Sequence, residues 1–304
     1  MRTATADQAT DVTAARISPV TGEVRIVSAL SPEGRAATRV PVSPREPVFA
    51  GHYPDFPIFP GVCVMECVHR SALATAPEPV ELAAVKSARF AAPAFPGDVL
   101  DIDLIWARAG GAWRLTATAA TARGATASLR LRYRAAGSAL QAPAGPAAAA
   151  PAAALPGMPE PADLLPHRYP MLLVDRVLSL RPGERITAVK AVTHNEPWYA
   201  ALVPAQDLAY PASLLIESWG QSAGLLASAA TPRDRDQVML FGAVAGAEFH
   251  RPVFPGELLE HHITIARSLD DSVIFEGESR GGAGPVMSVE RMVMAFRPAG
   301  QLRS

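Results

Sequence analysis

The stretch Phe49-Ala50-Gly51-His52-Tyr53-Pro54-Asp55-Phe56-Pro57-Ile58-Phe59-Pro60-Gly61-Val62-Cys63-Val64-Met65-Glu66 sets a histidine, a proline-braced loop, a helix start and a carboxylate one after another. Pro60 suits the first position of a helix and Gly61 follows it, so free N–H groups and the positive end of a helix dipole face the loop carrying His52. Residues 62–76 are apolar almost all round, the composition of a helix buried on every side. Glu66 falls inside that helix, where an isolated carboxylate is costly unless it is paired, hydrogen-bonded or protonated. The pattern is that of half an active site built on a buried helix.

Working outward, the chain has 304 residues, nearly half of them apolar, enough for two domains with substantial cores. A net charge of -1 provides no field for nucleic acid or an anionic membrane surface, so neither partner is expected. Cys63 and Cys67 lie four apart on one helix and read as small buried hydrophobes, not as a disulfide framework, which implies a cytoplasmic setting. Residues 1–16 lack the apolar core of a signal peptide and read as a disordered tail. No run reaches the roughly 18 apolar residues of a membrane helix.

Strands are predicted at 23–29 and 35–42, joined by the turn Ser31-Pro32-Glu33-Gly34, and after the helix at 80–90, 98–108, 113–121 and 125–134. Leu100, Ile102, Leu104 and Trp106 alternate with polar residues, as in an antiparallel sheet with one covered face. Residues 135–160 are Ala, Pro and Gly with little else, the composition of a linker. The second half, residues 161–304, then repeats the first, residues 17–134. Glu196-Pro197 repeats Glu46-Pro47, a buried helix at 212–229 carries Glu217 where the first carries Glu66, and Phe249 to Gly256 matches Phe90 to Gly97 in its Phe, Pro and Pro-Gly positions. A tandem duplication packed as a pseudo-dimer within one chain accounts for this.

Two pieces carry a resemblance. Gly51-His52-Tyr53-Pro54 through Phe59-Pro60-Gly61-Val62 and Glu66 resembles the catalytic loop and helix of the 3-hydroxyacyl-carrier-protein dehydratases of bacterial fatty acid synthesis. Leu165-Pro166-His167-Arg168-Tyr169-Pro170-Met171-Leu172-Leu173-Val174-Asp175-Arg176 resembles the opening segment of the same family, which has the hotdog fold. The resemblance implies an α+β tandem double hotdog, antiparallel sheets each wrapped round a long central helix. It implies a site shared across the pseudo-dimer, with the histidine from one half and the acid from the other. The second half reads Ala201-Leu202-Val203-Pro204 where the histidine belongs, but keeps Glu217-Ser218-Trp219-Gly220-Gln221. The first half keeps His52, but carries Arg70 where the family has Gln. One live site is therefore expected from His52, Glu217 and Gln221, and one vestigial site where Glu66 faces Leu202. This division resembles the dehydratase domains of modular polyketide synthases.

In that reading His52 is the base for the C2 proton. Glu217, flanked by Ile216 and Trp219, is expected to have a raised pKa and to protonate the leaving hydroxyl. N–H groups near Gly61 serve the thioester oxygen, and Gln221 supports Glu217. Tyr53, Phe59, Trp219, His167 and Arg168 are weaker candidates for the substrate tunnel; for His167 and Arg168 a structural bracing role is slightly favoured. No metal or organic cofactor is expected. His261 and His262, adjacent on a strand, point to opposite faces, which does not suit joint metal ligation. The implied partner is an acyl carrier protein bearing a 3-hydroxyacyl thioester, met by arginines such as Arg45, Arg89 and Arg251, with ketosynthase or ketoreductase partners and further homodimerisation also in view. A hotdog thioesterase, an enoyl-CoA hydratase, or a non-catalytic acyl-chain-binding partner of a synthase are the alternatives.

Overall fold

The structure is a computed structural model that describes residues 16–54, 56–138, 156–230 and 237–298. The first half runs β1 (Arg25–Ser28), β2 (Arg35–Pro41), α1 (Gly61–Thr75), β3 (Val80–Phe90), β4 (Val99–Ala109), β5 (Ala112–Thr121) and β6 (Gly124–Ala135). The second runs α2 (Pro161–Leu164), β7 (Arg176–Arg181), β8 (Arg185–Ala191), α3 (Ala212–Ala230), β9 (Gln237–Phe249), β10 (Leu258–Ser268), β11 (Ser272–Gly281) and β12 (Gly284–Pro298). Strand and helix boundaries fall within a few residues of the sequence expectation. β1 is the shortest against it, because it is an exposed edge strand held only by β2 and interrupted by a bulge.

All strands join one antiparallel sheet in the order β1-β2-β4-β5-β6-β3-β9-β12-β11-β10-β8-β7. Read from either edge, the second half repeats the first strand for strand. The two meet where β3 pairs with β9, from Ala84 opposite Glu248 to Arg89 opposite Ala243. Each half curls over its helix, α1 packing on β1 to β6 and α3 on β8 to β11, and the two helices touch. The alternation read from β4 is realised: Leu100, Ile102, Leu104 and Trp106 face the core while their neighbours face solvent.

Cys63 and Cys67 are free and buried, as read from their spacing. His261 is fully buried while its neighbour His262 is half-buried beside Glu260, on opposite faces of β10. Residues 1–15 and 139–155, most of the expected tail and linker, lie outside the described residues. Arg16, placed in the tail by composition, instead bridges to Asp207 of the other half. No helix among the described residues is long and apolar enough to cross a membrane.

Candidate active site

Gly51 to Pro60 form the loop ahead of α1, and its path is fixed at both ends. Phe59 N–H donates to the Ala94 carbonyl at 2.8 Å, and the N–H of His52 donates to the Val48 carbonyl at 2.9 Å. Tyr53 adopts a left-handed conformation (φ 56°), a costly choice for a bulky residue, and its hydroxyl donates across the pseudo-dimer to the Met239 carbonyl at 3.1 Å. His52 is 6% exposed, and its Nδ1 lies 2.9 Å from the Ile58 carbonyl. A carbonyl only accepts, so Nδ1 carries the proton and Nε2 is left as a free base. Burial first, then neighbouring His167, pushes the imidazole down to about 4, against the opposing pull of Glu217 and the Ile58 carbonyl. The ring is neutral at working pH.

From the other half, α3 presents Glu217, Gly220 and Gln221 on one face, at the three- and four-residue spacing that aligns side chains on a helix. Gln221 holds the site together. Its Nε2 donates to Oε1 of Glu217 at 2.9 Å and to the Met171 carbonyl at 2.6 Å, and its Oε1 accepts from Leu173 N–H at 2.8 Å. His167, 7% exposed, lies on the segment so anchored, with Nε2 3.3 Å from Glu217 Oε1. Burial pushes the Glu217 carboxyl up, but the hydrogen bond from His167, the two imidazoles and the Gln221 amide outweigh it, so the group sits below the usual range. This corrects the expectation of a raised pKa. Ile216 and Trp219 are buried beside it, yet the polar groups aimed at the carboxylate decide its charge.

The donor atoms of His52, His167 and Glu217 all lie within 4.8 Å of one another, a set that a divalent cation would also accept. They open on a cavity of about 300 Å³ lined by Tyr53, Phe59, Gly61, Phe90, Phe241 and Met294 among others. Gly61 is the first residue of α1, and a Cβ there would press on the Phe90 ring at 3.1 Å, so the helix end and that ring are closely packed at the cavity wall. One tunnel candidate is corrected, and for Arg168 the contacts fit the bracing role that the sequence reading favoured. Trp219 does not line the cavity; it is fully buried on another face of α3. Arg168 does not line it either. Its guanidinium donates to the carbonyls of Leu165 and His167, so it braces the opening segment. Sequence reasoning undervalued His167, whose place beside the acid depends on contacts made by Met171 and Leu173 further along.

The equivalent region around Glu66 opens on a cavity of about 720 Å³. Glu66 accepts a hydrogen bond from Ser213 at 2.8 Å, and burial, the largest influence, raises its pKa. Leu202 does not face it: the side chain is 46% exposed and lies outside that cavity, carried away on the longer second-half loop. Arg70 donates to the carbonyls of Val20 and Gly22 at 2.9 and 2.8 Å, taking over the anchoring role that Gln221 plays with Met171 and Leu173. Of the surface arginines, Arg45 and Arg89 are exposed, whereas Arg251 is tied to Glu257 at 2.7 Å.

The fold is that of the double-hotdog dehydratases. The dehydratase domain from the CurJ module of the curacin polyketide synthase superposes with a TM-score of 0.65 at 10% identity, over 95% of this chain and 99% of that one. The dehydratase domain of PpsC from Mycobacterium tuberculosis gives 0.58 at 14%, over 90% and 97%. In sequence, residues 29–129 match the ApeI-like family (ApeI dehydratase) and residues 165–280 the FabA-like domain family. The 3-hydroxyacyl-[acyl-carrier-protein] dehydratase FabZ of Pseudoalteromonas translucida is 38% identical over 130 residues, 42% of this chain and 86% of the relative. That of Variovorax paradoxus is 43% identical over 122 residues, 40% and 81%. The chain belongs to the 3-hydroxyacyl-[acyl-carrier-protein] dehydratase family.

Proposed function

We propose that the chain is a hydro-lyase that removes water from a (3R)-3-hydroxyacyl thioester on an acyl carrier protein to give the trans-2-enoyl thioester. The observation that supports it best is the convergence of His52 from one half and Glu217 from the other on a single cavity. The other half-site keeps a carboxylate, Glu66, with His69 on the same helix, but among the described residues no histidine of the second half lines its cavity.

Neutral His52 takes the C2 proton on Nε2, and the Glu217 carboxylate within 4.8 Å stabilises the imidazolium that forms. Because Glu217 is held ionised, its part is to accept a hydrogen bond from the 3-hydroxyl and orient it. The C3–O bond breaks as the His52 imidazolium returns its proton to the departing oxygen, so water leaves and both side chains end as they began. Free N–H groups at the start of α1, beside Gly61, polarise the thioester carbonyl. None of these steps routes through a metal.

The fused, asymmetric pair of halves favours polyketide over housekeeping fatty acid assembly, since a homodimer would serve the latter. Ketosynthase or ketoreductase neighbours and further association of pseudo-dimers belong to the same reading, and two free, buried cysteines agree with a cytoplasmic setting. The test is the intact mass of a 3-hydroxyacyl carrier protein after incubation with the purified chain. Loss of one water, stopped by His52→Ala, is the expected result. An unchanged mass across several acyl lengths, or release of the free acid, overturns it.

A further inference from the structure

The duplication supplies an internal control. Glu66 and Glu217, Arg70 and Gln221, Val20 and Met171, Gly22 and Leu173, and Arg16 and His167 are each separated by the same number of residues. Both helices therefore carry a buried carboxylate, and both opening segments are tied down at the same two places by the residue one turn on. Two residues beside the carboxylate differ: Gln221, which donates to Glu217, against Arg70, and the residue at the position of His167. In the half without a histidine base the latter is Arg16, which engages Asp207 at 3.7 Å, while Glu66 is hydrogen-bonded by Ser213 and Ser18 and feels Arg70 and Arg16 only through their charge. In the live half, His167 is aimed at Glu217.

We infer that His167 is a positioning residue of the dehydratase, donating from Nε2 to Glu217 Oε1 so that the carboxylate is held, with Gln221, where the substrate hydroxyl meets it. This rests on the dehydratase reading above. Four observations carry it. First, the Nε2 to Oε1 distance is 3.3 Å between two side chains that are largely buried at the edge of the cavity. Second, Nδ1 of His167 is buried with no hydrogen-bond partner among the described residues, a cost that a merely bracing side chain would not incur. Third, Arg168 N–H donates to the Gly51 carbonyl at 2.9 Å, which locks the segment carrying His167 onto the loop carrying His52. The His167 ring centroid consequently lies 5.4 Å from that of His52 and 5.2 Å from that of Tyr53. Fourth, the two carboxylates are pushed in opposite directions, Glu66 up and Glu217 down, and His167 is the chief cause of the fall. The ionisable groups facing Glu217 are His52 and Tyr53 from the loop, Cys63 from α1 and His167 from the opening segment.

The test compares His167→Ala and His167→Gln, the latter able to place an amide N–H near the position of Nε2. His167→Ala is expected to lower kcat roughly 10- to 100-fold, the worth of a hydrogen bond to a charged group, with KM little changed. The acid limb of its pH profile should move to higher pH, and His167→Gln should restore most of both. A carboxyl-carbon NMR titration of Glu217 in the substrate-free protein reads the same link without turnover, and His167→Ala should move that titration upward. If neither the limb nor the titration moves, or if both variants lose rate only in proportion to lost folded protein, the assignment is overturned. A wild-type enzyme that fails to dehydrate would sink the functional reading instead, while the NMR titration would still decide the role of His167.

Discussion

The Arg168 N–H donates to the Gly51 carbonyl at 2.9 Å, so the opening segment of one half is closed onto the histidine loop of the other. The approach is possible only because residue 51 has no side chain: a Cβ there would lie 2.0 Å from the Arg168 carbonyl oxygen and 2.7 Å from the Met171 nitrogen. Gly51→Ala must push the two backbones apart. A loss of about 1–3 kcal/mol is expected, seen as a drop of several degrees in Tm, together with a fall in kcat as His52 and Glu217 separate. An alanine variant with unchanged Tm and activity would show that the closure is dispensable.

The two half-sites should respond unequally to the same substitution. His52→Ala should cost roughly 10²- to 10⁴-fold in kcat, as for a lost acid–base group, and Glu217→Ala roughly 10- to 100-fold, as for a lost hydrogen bond to a charged group that orients the hydroxyl. Glu66→Ala should stay close to wild type in rate, because among the described residues no histidine of the second half lines its cavity. Steady-state assays on the three folded variants decide the matter, and an inactive but folded Glu66→Ala would mean that the second cavity takes part in turnover.

Catalysis as described needs His52 neutral and Glu217 ionised. Both are held below their ordinary values, His52 to about 4. The rate should therefore rise as pH climbs through the acid range and stay level through neutrality, where neither group changes state further. Measuring kcat against pH with the carrier-bound substrate checks this. A falling limb between pH 6 and 8 would restore a proton donor other than His52.

Acid should also unfold the protein early. Burial first of all pushes His52 down to about 4, and His69 and His261 down to about 3. Each folded value lies below the unfolded value near 6.5, so below that pH the unfolded chain binds protons that the native chain refuses. The stability these residues contribute is complete above about pH 6.5 and is lost as pH falls towards 3. Glu66, raised by burial, works in the opposite sense as one group against three. Chemical denaturation at pH 7 and pH 5 should show the lower midpoint at pH 5; equal midpoints would contradict the buried neutral state.

Phe90 of β3 and Phe241 of β9 face each other across the seam between the halves, ring centroids 5.0 Å apart, and both line the cavity. Phe241→Ala should enlarge a space of about 300 Å³ and shift the preference towards longer acyl chains. Competition between substrates of two lengths reads the shift, and an unchanged ratio would place the acyl chain elsewhere.

Much of this was legible in the sequence because duplication writes the pattern twice. The strand alternation, the two buried helices and the Pro-Gly turns recur at matched positions, and the loop ahead of Gly61 identifies the surviving histidine. What was not legible depends on which atoms meet. Arg70 looked like a loss of the family's Gln, yet its guanidinium reaches the backbone at the two matching positions, Val20 and Gly22, by donating to both carbonyls. Glu217 looked like a protonated acid because its sequence neighbours are apolar, whereas His167, distant in sequence, does most to hold its carboxyl below the usual range. Leu202 looked like the partner of Glu66, but a longer loop turns it outward. Local composition reports burial; it does not report the direction of a polar group in space.

The pairing of β3 with β9 makes the contact between halves an internal bond of one chain. A site shared by two separate protomers dissolves when they part, so its output depends on how concentrated the protein is. Here the partner belongs to the same chain, so its local concentration does not fall however dilute the solution. The residues of each half are also free to change independently, since a substitution in one is no longer copied into the other. On the proposed reading, such a pair should keep its activity on dilution, and the fusion lets one half carry the histidine while the other carries the carboxylate.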